Sequence, residues 1–228
     1  MQINYVGHAC FELVIDGIRV MIDPFIDGNP ACGSKSEDFC PDLILVTHGH
    51  NDHLGDALKI ARRSGATLAA QVDLLKTLDT AGISTVAFNT GGTFDFKGLR
   101  VTMTQAIHGN TIETEDGRAY AGICCGYVLR GEKETVYHAG DTGLFGDMES
   151  VISRYGIDVA LLPIGDFYTM GPEDAVTAAQ WLKARWVIPM HYNTFPVIRQ
   201  DAEAFARELE KSSPAKCIVL KPGESWQN

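Results

Sequence analysis

Residues 45 to 56 read LVTHGHNDHLGD, bringing His48, His50, His53, Asp52 and Asp56 into one turn. Neutral imidazoles and carboxylates are the donors that borderline divalent ions take. His48 and His50 are two apart at the end of an apolar run, so on an extended backbone they point the same way. Asp52 and His53 follow, at the turn into a predicted helix. The same residue types recur further on, with His108 ending VTMTQAIH, Asp141 ending TVYHAGD and His191 ending WVIPMH. All three fall at the C-terminal ends of predicted strands, where ligand sites form in α/β sheets. Two such donor sets sharing one carboxylate can hold two ions about 3.5–4 Å apart, and water between them becomes a nucleophile near neutral pH. The competing reading, a polar turn with satisfied core histidines, does not account for three histidines and an aspartate within six residues.

These groups need a rigid frame, and the pattern around them supplies one. INYV, CFELVI and IRVMID read as strands, with Asp16-Gly17 as a hairpin turn. DPFIDGNPACGSKSEDFCPD reads as a long loop of the kind that is often functional. LILVT suits a fully buried strand, and LGDALKIARRSG a helix burying Leu54, Ala57, Leu58 and Ala61. TLAA, a helix near 71–81 and TVAF continue the alternation. TFDF, LRVTMTQAIH, GICCGYVLRG and ETVYHAGD are strand-like, and GNTIETEDGRAYAG between them is a polar loop. The last third alternates DVALLPIG, a helix from Pro172 to about Ala184, WVIPMH, a helix near 201–211, and CIVL. Two β-rich stretches, each leading into αβ alternation, predict two sheets packed face to face with helices outside, in one domain over residues 1–228.

The chain has 228 residues, 45% of them hydrophobic and 21% charged, enough for one sizeable core. No apolar run approaches the ~20 residues of a membrane span. The start, MQINYVGHAC, lacks a secretory pattern, so a cytoplasmic location is expected. A net charge of -10 argues against nucleic acid, whose binders carry a basic face. The pair Arg62-Arg63 is the best basic candidate and reads as a solvated face. None of the six cysteines forms a C-x-x-C pair, which disfavours zinc-finger and redox centres; free thiols are expected, with Cys32 and Cys40 sharing one loop.

H-x-H-x-D-H, a later His, GDT and a final His resemble the metallo-β-lactamase superfamily. GHACFEL, MIDPFIDGNP, VTHGHNDHLGDA, YHAGDTGLFGDM, PIGDFYTMGPEDA and IPMHYNTFP are similar to its small metal-dependent hydrolases, a branch related to the ascorbate-6-phosphate lactonase group. The resemblance spans the chain and implies an α/β fold, a four-layer αββα sandwich. It implies one metal on His48, His50 and His108, a second on Asp52, His53 and His191, and Asp141 bridging them. Two divalent ions follow, zinc favoured, with Mn, Fe, Co or Ni also compatible with mixed His/Asp donors. The reaction implied is attack by a metal-bridging hydroxide on a small ester, lactone or phosphodiester, with Asp52, His53 and Asp141 the catalytic groups. A metal-binding scaffold without turnover and a nuclease-type phosphodiesterase remain as alternatives. The missing leader argues against a secreted lactamase, and His50, where flavodiiron relatives carry Glu, argues against oxygen reduction.

His8, after Gly7 in the first hairpin, either touches substrate or a ligand carboxylate, or is structural. Asp23 before Pro24 either orients a ligand imidazole or simply turns the chain. His138 is expected in the core, because a regular strand would put it and Asp141 on opposite faces. Glu173 and Asp174 after Pro172 read as helix-start residues. Tyr168, Thr169 and Met170 are candidate pocket residues. Tyr192, Asn193 and Thr194 are candidate hydrogen-bond donors to a small-molecule substrate. The apolar and aromatic residues of FYTM and YNTFPVI suit either a pocket or a homo-oligomer interface.

Overall fold

The computed structural model describes residues 1–228 and contains two seven-stranded mixed sheets with helices on their outer faces. In the first half, β1 (Gln2–Gly7), β2 (Cys10–Ile15) and β3 (Ile18–Ile22) form an antiparallel meander. Asp16 and Gly17 turn its second hairpin with φ of 51° and 81°, the paired left-handed conformations of a tight hairpin. Then β4 (Leu43–Val46), α1 (Asn51–Leu54), α2 (Ala57–Ser64), β5 (Thr67–Gln71), α3 (Val72–Thr77) and β6 (Thr85–Phe88) add three strands parallel to β3.

The second half repeats this plan. β7 (Thr93–Phe96) and β8 (Leu99–Gln105) pair, and a separate hairpin of β9 (Thr111–Thr114) and β10 (Gly117–Tyr120) follows. Next come β11 (Cys125–Arg130), β12 (Thr135–His138), α4 (Asp147–Ser150), β13 (Val159–Pro163), α5 (Pro172–Leu182), β14 (Trp186–Met190), α6 (Ala202–Ser212), β15 (Lys216–Cys217) and β16 (Ser225–Gln227). Strands β12 to β15 run parallel, while β16 crosses back to pair with β1 in the first sheet.

The αββα layering follows from period-two burial. In β4, Leu43 and Leu45 point into the core between the sheets, and Ile44 and Val46 point into the layer under α2 and α3. α5 and α6 cover the second sheet, burying Ala175, Ala178, Ala179, Leu182, Phe205 and Leu209. Pro172 opens α5 with Glu173 and Asp174 exposed in its first turn, in keeping with a helix-start role.

Several boundaries differ from the sequence reading, each for a tertiary reason. The helix expected from Leu54 to Gly65 is two helices. Gly55, at φ 41°, breaks it where a Cβ would come within 2.4 Å of the Pro24 carbonyl oxygen. The buried face of α2 is accordingly Ala57, Ile60 and Ala61, with Leu58 only half-buried. The helix near 71–81 stops at Thr77, only Cys217 of CIVL lies in a strand, and the polar loop after His108 is the β9–β10 hairpin. Strands β8 and β12 end at Gln105 and His138, so His108 and Asp141 sit three residues beyond them rather than closing them.

Hydrogen bonds from β11 to the end of β4 tie the two sheets directly under the histidine motif, the Cys125 N–H to the Thr47 carbonyl at 3.2 Å among them. The buried Tyr127 hydroxyl of β11 donates to the Val46 carbonyl of β4 at 2.7 Å. Tyr127→Phe leaves that carbonyl without its partner and is expected to cost about 1–3 kcal/mol. Urea unfolding at matched metal content measures it, and an unchanged midpoint would show that the bond contributes nothing.

Candidate metal centre

The site lies where the parallel strands of both sheets end. β3 delivers Asp23, β4 delivers Thr47 and His48, β12 leads to Asp141 and β14 to His191. Several of these residues hold left-handed backbone conformations that β-strands cannot supply: His8 at φ 60°, Asp23 at 47° and His191 at 54°. Non-glycine residues adopt such angles at a cost, and they cluster at functional sites.

Three donor groups converge. His48, His50 and His108 form one, His8, Asp52, His53 and His191 a second, and His48, His53 and Asp141 a third, each with its ligand atoms within 4.8 Å of one another. Asp141 joins the two halves: its Oδ2 lies 3.2 Å from His53 Nε2, 3.0 Å from His191 Nε2 and 3.6 Å from His108 Nε2. Yet His53 Nε2, His191 Nε2 and Asp141 Oδ1 are buried and make no hydrogen bond of proper geometry. Unpartnered buried nitrogens and a carboxylate oxygen in one cluster are costly unless a cation receives them. The residues present therefore fit divalent ions.

Tautomers follow from the bonds behind the site. Asp23 accepts from the Thr47 backbone N–H at 2.8 Å and from the Thr47 hydroxyl at 2.7 Å. Having given its proton to Asp23, the Thr47 hydroxyl must accept from His48 Nδ1–H, 2.9 Å away. His53 Nδ1–H donates to the same Asp23 carboxylate at 2.7 Å. Both rings are thus fixed with Nε2 turned to the site, which makes Asp23 an orienting carboxylate rather than only a turn residue.

His8 is oriented the other way. Its Nε2 is 3.2 Å from Asp52 Oδ2, which can only accept, so Nε2 carries the hydrogen and Nδ1 accepts from the Thr194 hydroxyl at 2.9 Å. With both nitrogens engaged, His8 aims Asp52. His138 is a core residue, as expected: its Nε2–H donates to the Ala9 carbonyl at 2.9 Å, and its Nδ1 accepts from the Gly140 N–H at 3.1 Å, steadying the turn to Asp141.

Electrostatics agree with a cation site. Burial holds His48 well below its ordinary pKa, with the His53 charge adding to it, and burial also lowers His50 and His108. They are neutral near pH 7, as ligands must be. Burial lowers His53 too, but Asp141 and Asp23 outweigh it and hold the ring well above its usual value. Burial raises Asp141, but His191 and His53 outweigh it and hold the carboxyl well below its usual range. A divalent ion at this site would take over the positive charge that the two carboxylates favour on His53, displacing its Nε2 proton.

A cavity of about 470 Å³ opens over the cluster, lined by His50, Asp52, His108, Asp141 and His191 at its base and by Arg118, Tyr168, Phe195 and Val197 beyond. Tyr168 is thus where a pocket residue was expected. Met170 is buried in the core instead, and Tyr192 and Asn193 line separate cavities behind His8. Asn193 at φ 60° turns away and its Oδ1 accepts from the Gln200 N–H, leaving Thr194 to meet His8. The arginine pair is internally held, Arg62 by Asp79 and Arg63 by the Ser36 and Phe39 carbonyls. The six cysteines are free.

Other positioning residues carry little or no sequence signal. Asn110 accepts from the Gly49 N–H at 2.8 Å and donates to the Ala121 and Ile123 carbonyls, anchoring the glycine between His48 and His50. Cys124 donates to the His108 and Gly109 carbonyls, and Thr142 accepts from the Ile107 N–H at 2.9 Å. Only Thr47 had a local cue, as the hydroxyl residue immediately before the first histidine.

Comparison with known proteins agrees with this geometry. The profile of the Beta-lactamase superfamily domain matches residues 2–191. A UPF0173 metal-dependent hydrolase of Methanosphaera stadtmanae is 48% identical over 232 residues, covering 100% of this chain and 99% of the relative. One from Methanopyrus kandleri is 46% identical over 230 residues and covers 100% of both. Among solved structures, Igni18, a metallo hydrolase of Ignicoccus hospitalis, aligns with a TM-score of 0.88 at 37% identity over 100% of this chain and 98% of that one. An isothiocyanate hydrolase from Delia radicum gut bacteria shares the fold, with a TM-score of 0.79 at 21% identity over 100% of this chain and 99% of that one. No helix is long and apolar enough to cross a membrane.

Two predictions follow from the site. Asp23→Asn removes the acceptor that fixes His48 and His53, and metal affinity is expected to fall about 10–100-fold. Competition with a chromogenic chelator reads it, and unchanged affinity would remove Asp23 from the site. The second concerns acid. Burial pushes His8 down to about 4, with His191 adding to it, and burial lowers His48 and His138. Unfolding lets these rings bind protons at their ordinary value of 6.5, so the unfolded state gains protons below it. Metal-stripped protein should lose stability as pH falls from 6.5 toward 4, with His53, held above its usual value, opposing the trend. Urea midpoints at stepped pH test this; a flat or rising midpoint on acidification would contradict it.

Proposed function

Because the chain belongs to the β-lactamase superfamily, among its UPF0173 metal-dependent hydrolases, we propose that it is a dinuclear hydrolase of small esters, lactones or phosphodiesters. The observation that carries the dinuclear reading is the presence of two donor groups, one holding His48, His50 and His108 and one holding Asp52, His53 and His191, that both reach Asp141. His48, His50 and His108 would hold one ion, Asp52, His53 and His191 the other, with Asp141 shared between them. Zinc suits these donors, and Mn, Fe, Co and Ni remain compatible. When bound, such ions polarise a carbonyl or phosphoryl oxygen and make water nucleophilic near neutral pH.

The chain's own residues do the rest. Asp23 and Thr47 hold the rings of His48 and His53 by their Nδ1–H groups, so Nε2 of each faces inward without ring rearrangement. Asp52 is the ligand carboxylate most open to the cavity, with 31% of its side chain exposed, and it can receive a proton during turnover. Its partner His8 keeps that carboxylate ionised: burial raises Asp52, but the His8 hydrogen bond and the His53 charge outweigh it and hold it below its usual range. Tyr168, Phe195 and Val197 give the cavity an apolar wall and keep water from part of the substrate. A volume of about 470 Å³ suits a small molecule rather than a polymer.

Metal analysis by mass spectrometry, with hydrolysis of a lactone, a thioester, a β-lactam and bis(p-nitrophenyl) phosphate, tests the proposal. We expect about two ions per chain and chelator-sensitive turnover of at least one compound. His50→Ala and Asp141→Ala should each reduce that turnover at least about 100-fold. Turnover that survives both changes would overturn the metal mechanism, and bound metal with no turnover of any ester would favour a non-catalytic binding role.

A further inference from the structure

Arg118 is the one cationic residue lining the metal-site cavity, and nothing above uses it. It stands on β10, on the small hairpin outside both main sheets. Glu113 on β9 accepts from its Nε at 2.6 Å, and the two residues are cross-strand partners in the ladder. The side chain is 74% exposed, yet it is held at its base by that bond. No hydrogen bond engages either of its terminal nitrogens. A guanidinium anchored through Nε keeps its terminal pair as a planar fork, matched to two oxygens of a carboxylate or phosphoryl group.

The rest of the molecule makes this placement informative. The chain carries a net charge of -10, so an anion approaching it is repelled over most of the surface. Arg118 is the only arginine or lysine on the cavity wall, beside His50, Thr111 and Asp52, and its pairing with Glu113 leaves two terminal nitrogens as cationic donors to an entering anion.

We propose that Arg118 is a specificity residue, reading a second, non-reacting anionic group, a carboxylate or phosphoryl, on the substrate of the hydrolase. The substrate is then a small ester, lactone or phosphodiester bearing such a group, with its uncharged body against Tyr168, Phe195 and Val197. The hairpin acts as the arm that selects it, while the metal ligands remain common to any substrate. This inference rests on the hydrolase reading for the identity of the reacting bond, but not for the binding of the anion.

The test uses compounds that are not hydrolysed. Metal-loaded wild-type protein and Arg118→Gln are titrated calorimetrically with succinate, glutarate, adipate and 3-phosphonopropionate, and with propionate, butyrate and valerate. Simple carboxylates report binding at the metals alone; the doubly anionic compounds can also reach Arg118. In wild type at least one doubly anionic compound should bind more tightly than its singly charged counterpart. Arg118→Gln should weaken that compound about tenfold and the monoacids by less than about twofold. Comparing succinate with 3-phosphonopropionate tells carboxylate from phosphoryl preference. Because the arginine is exposed, the variant should melt with wild type. Equal losses for both classes, no loss, or no preference for any doubly anionic compound in wild type would each overturn the proposal. Failure of the ester panel would leave this result standing, and loss of anion selectivity with turnover intact would overturn this proposal alone.

Discussion

Asp23 and Asp141 are buried carboxylates with neither a lysine nor an arginine within ion-pairing distance. Desolvating a carboxylate is tolerated only when hydrogen bonds and opposite charge replace the lost water. Here the replacement comes from histidines and a threonine, groups whose protons can move. Asp23 turns its charge into orientation, taking protons from Thr47 and His53 and so turning Nε2 of both His48 and His53 inward. Asp141 keeps its charge for the cavity. That division of labour lets a mostly apolar sandwich carry a dense polar cluster where its two sheets meet.

The two halves of the chain contribute unlike parts to this cluster. The first half brings His48, His50, Asp52 and His53 in one local turn, with Asp23 behind them. The second brings His108, Asp141 and His191 from three separate segments. Those three have supports of their own, separate from the Asp23 and Asn110 bonds behind the first set. His138 steadies Gly140 ahead of Asp141, Cys124 and Thr142 hold the His108 segment, and the His8 carbonyl accepts from the His191 N–H at 2.8 Å. Gly165 fits beside His191 only because a Cβ there would come within 2.3 Å of the His191 carbonyl oxygen.

What was readable in the sequence followed from locality. The αββα layering showed in strands of alternating or continuous apolarity, because burial of the β4 residues on both faces leaves a four-residue signature. The histidine motif was legible because its geometry is set within six residues. The ends of β8 and β12 were not, since apolar periodicity continues past the point where pairing stops. The break at Gly55 depends on Pro24, thirty-one positions away, and no local pattern contains that contact. The β9–β10 hairpin was hidden by polar composition, since Ile112 is its one buried apolar residue. Tyr192 and Asn193 followed a ligand in sequence but not in space, because the positive φ angles at His191 and Asn193 redirect the chain.

The donor sets also differ in charge. His48, His50 and His108 are neutral, whereas Asp52 stands with His53 and His191, and Asp141 is common to both. Nitrogen-rich sets favour zinc and its late neighbours; added carboxylate widens the choice toward harder ions such as manganese. Under the proposed dinuclear reading, the two sets therefore need not share one preference or fill together. The His8–Thr194 support acts only on Asp52, on the carboxylate-bearing side. Control of the Asp52 carboxylate is thus built into the N-terminal hairpin and the turn after His191, outside the motif that supplies most of the ligands.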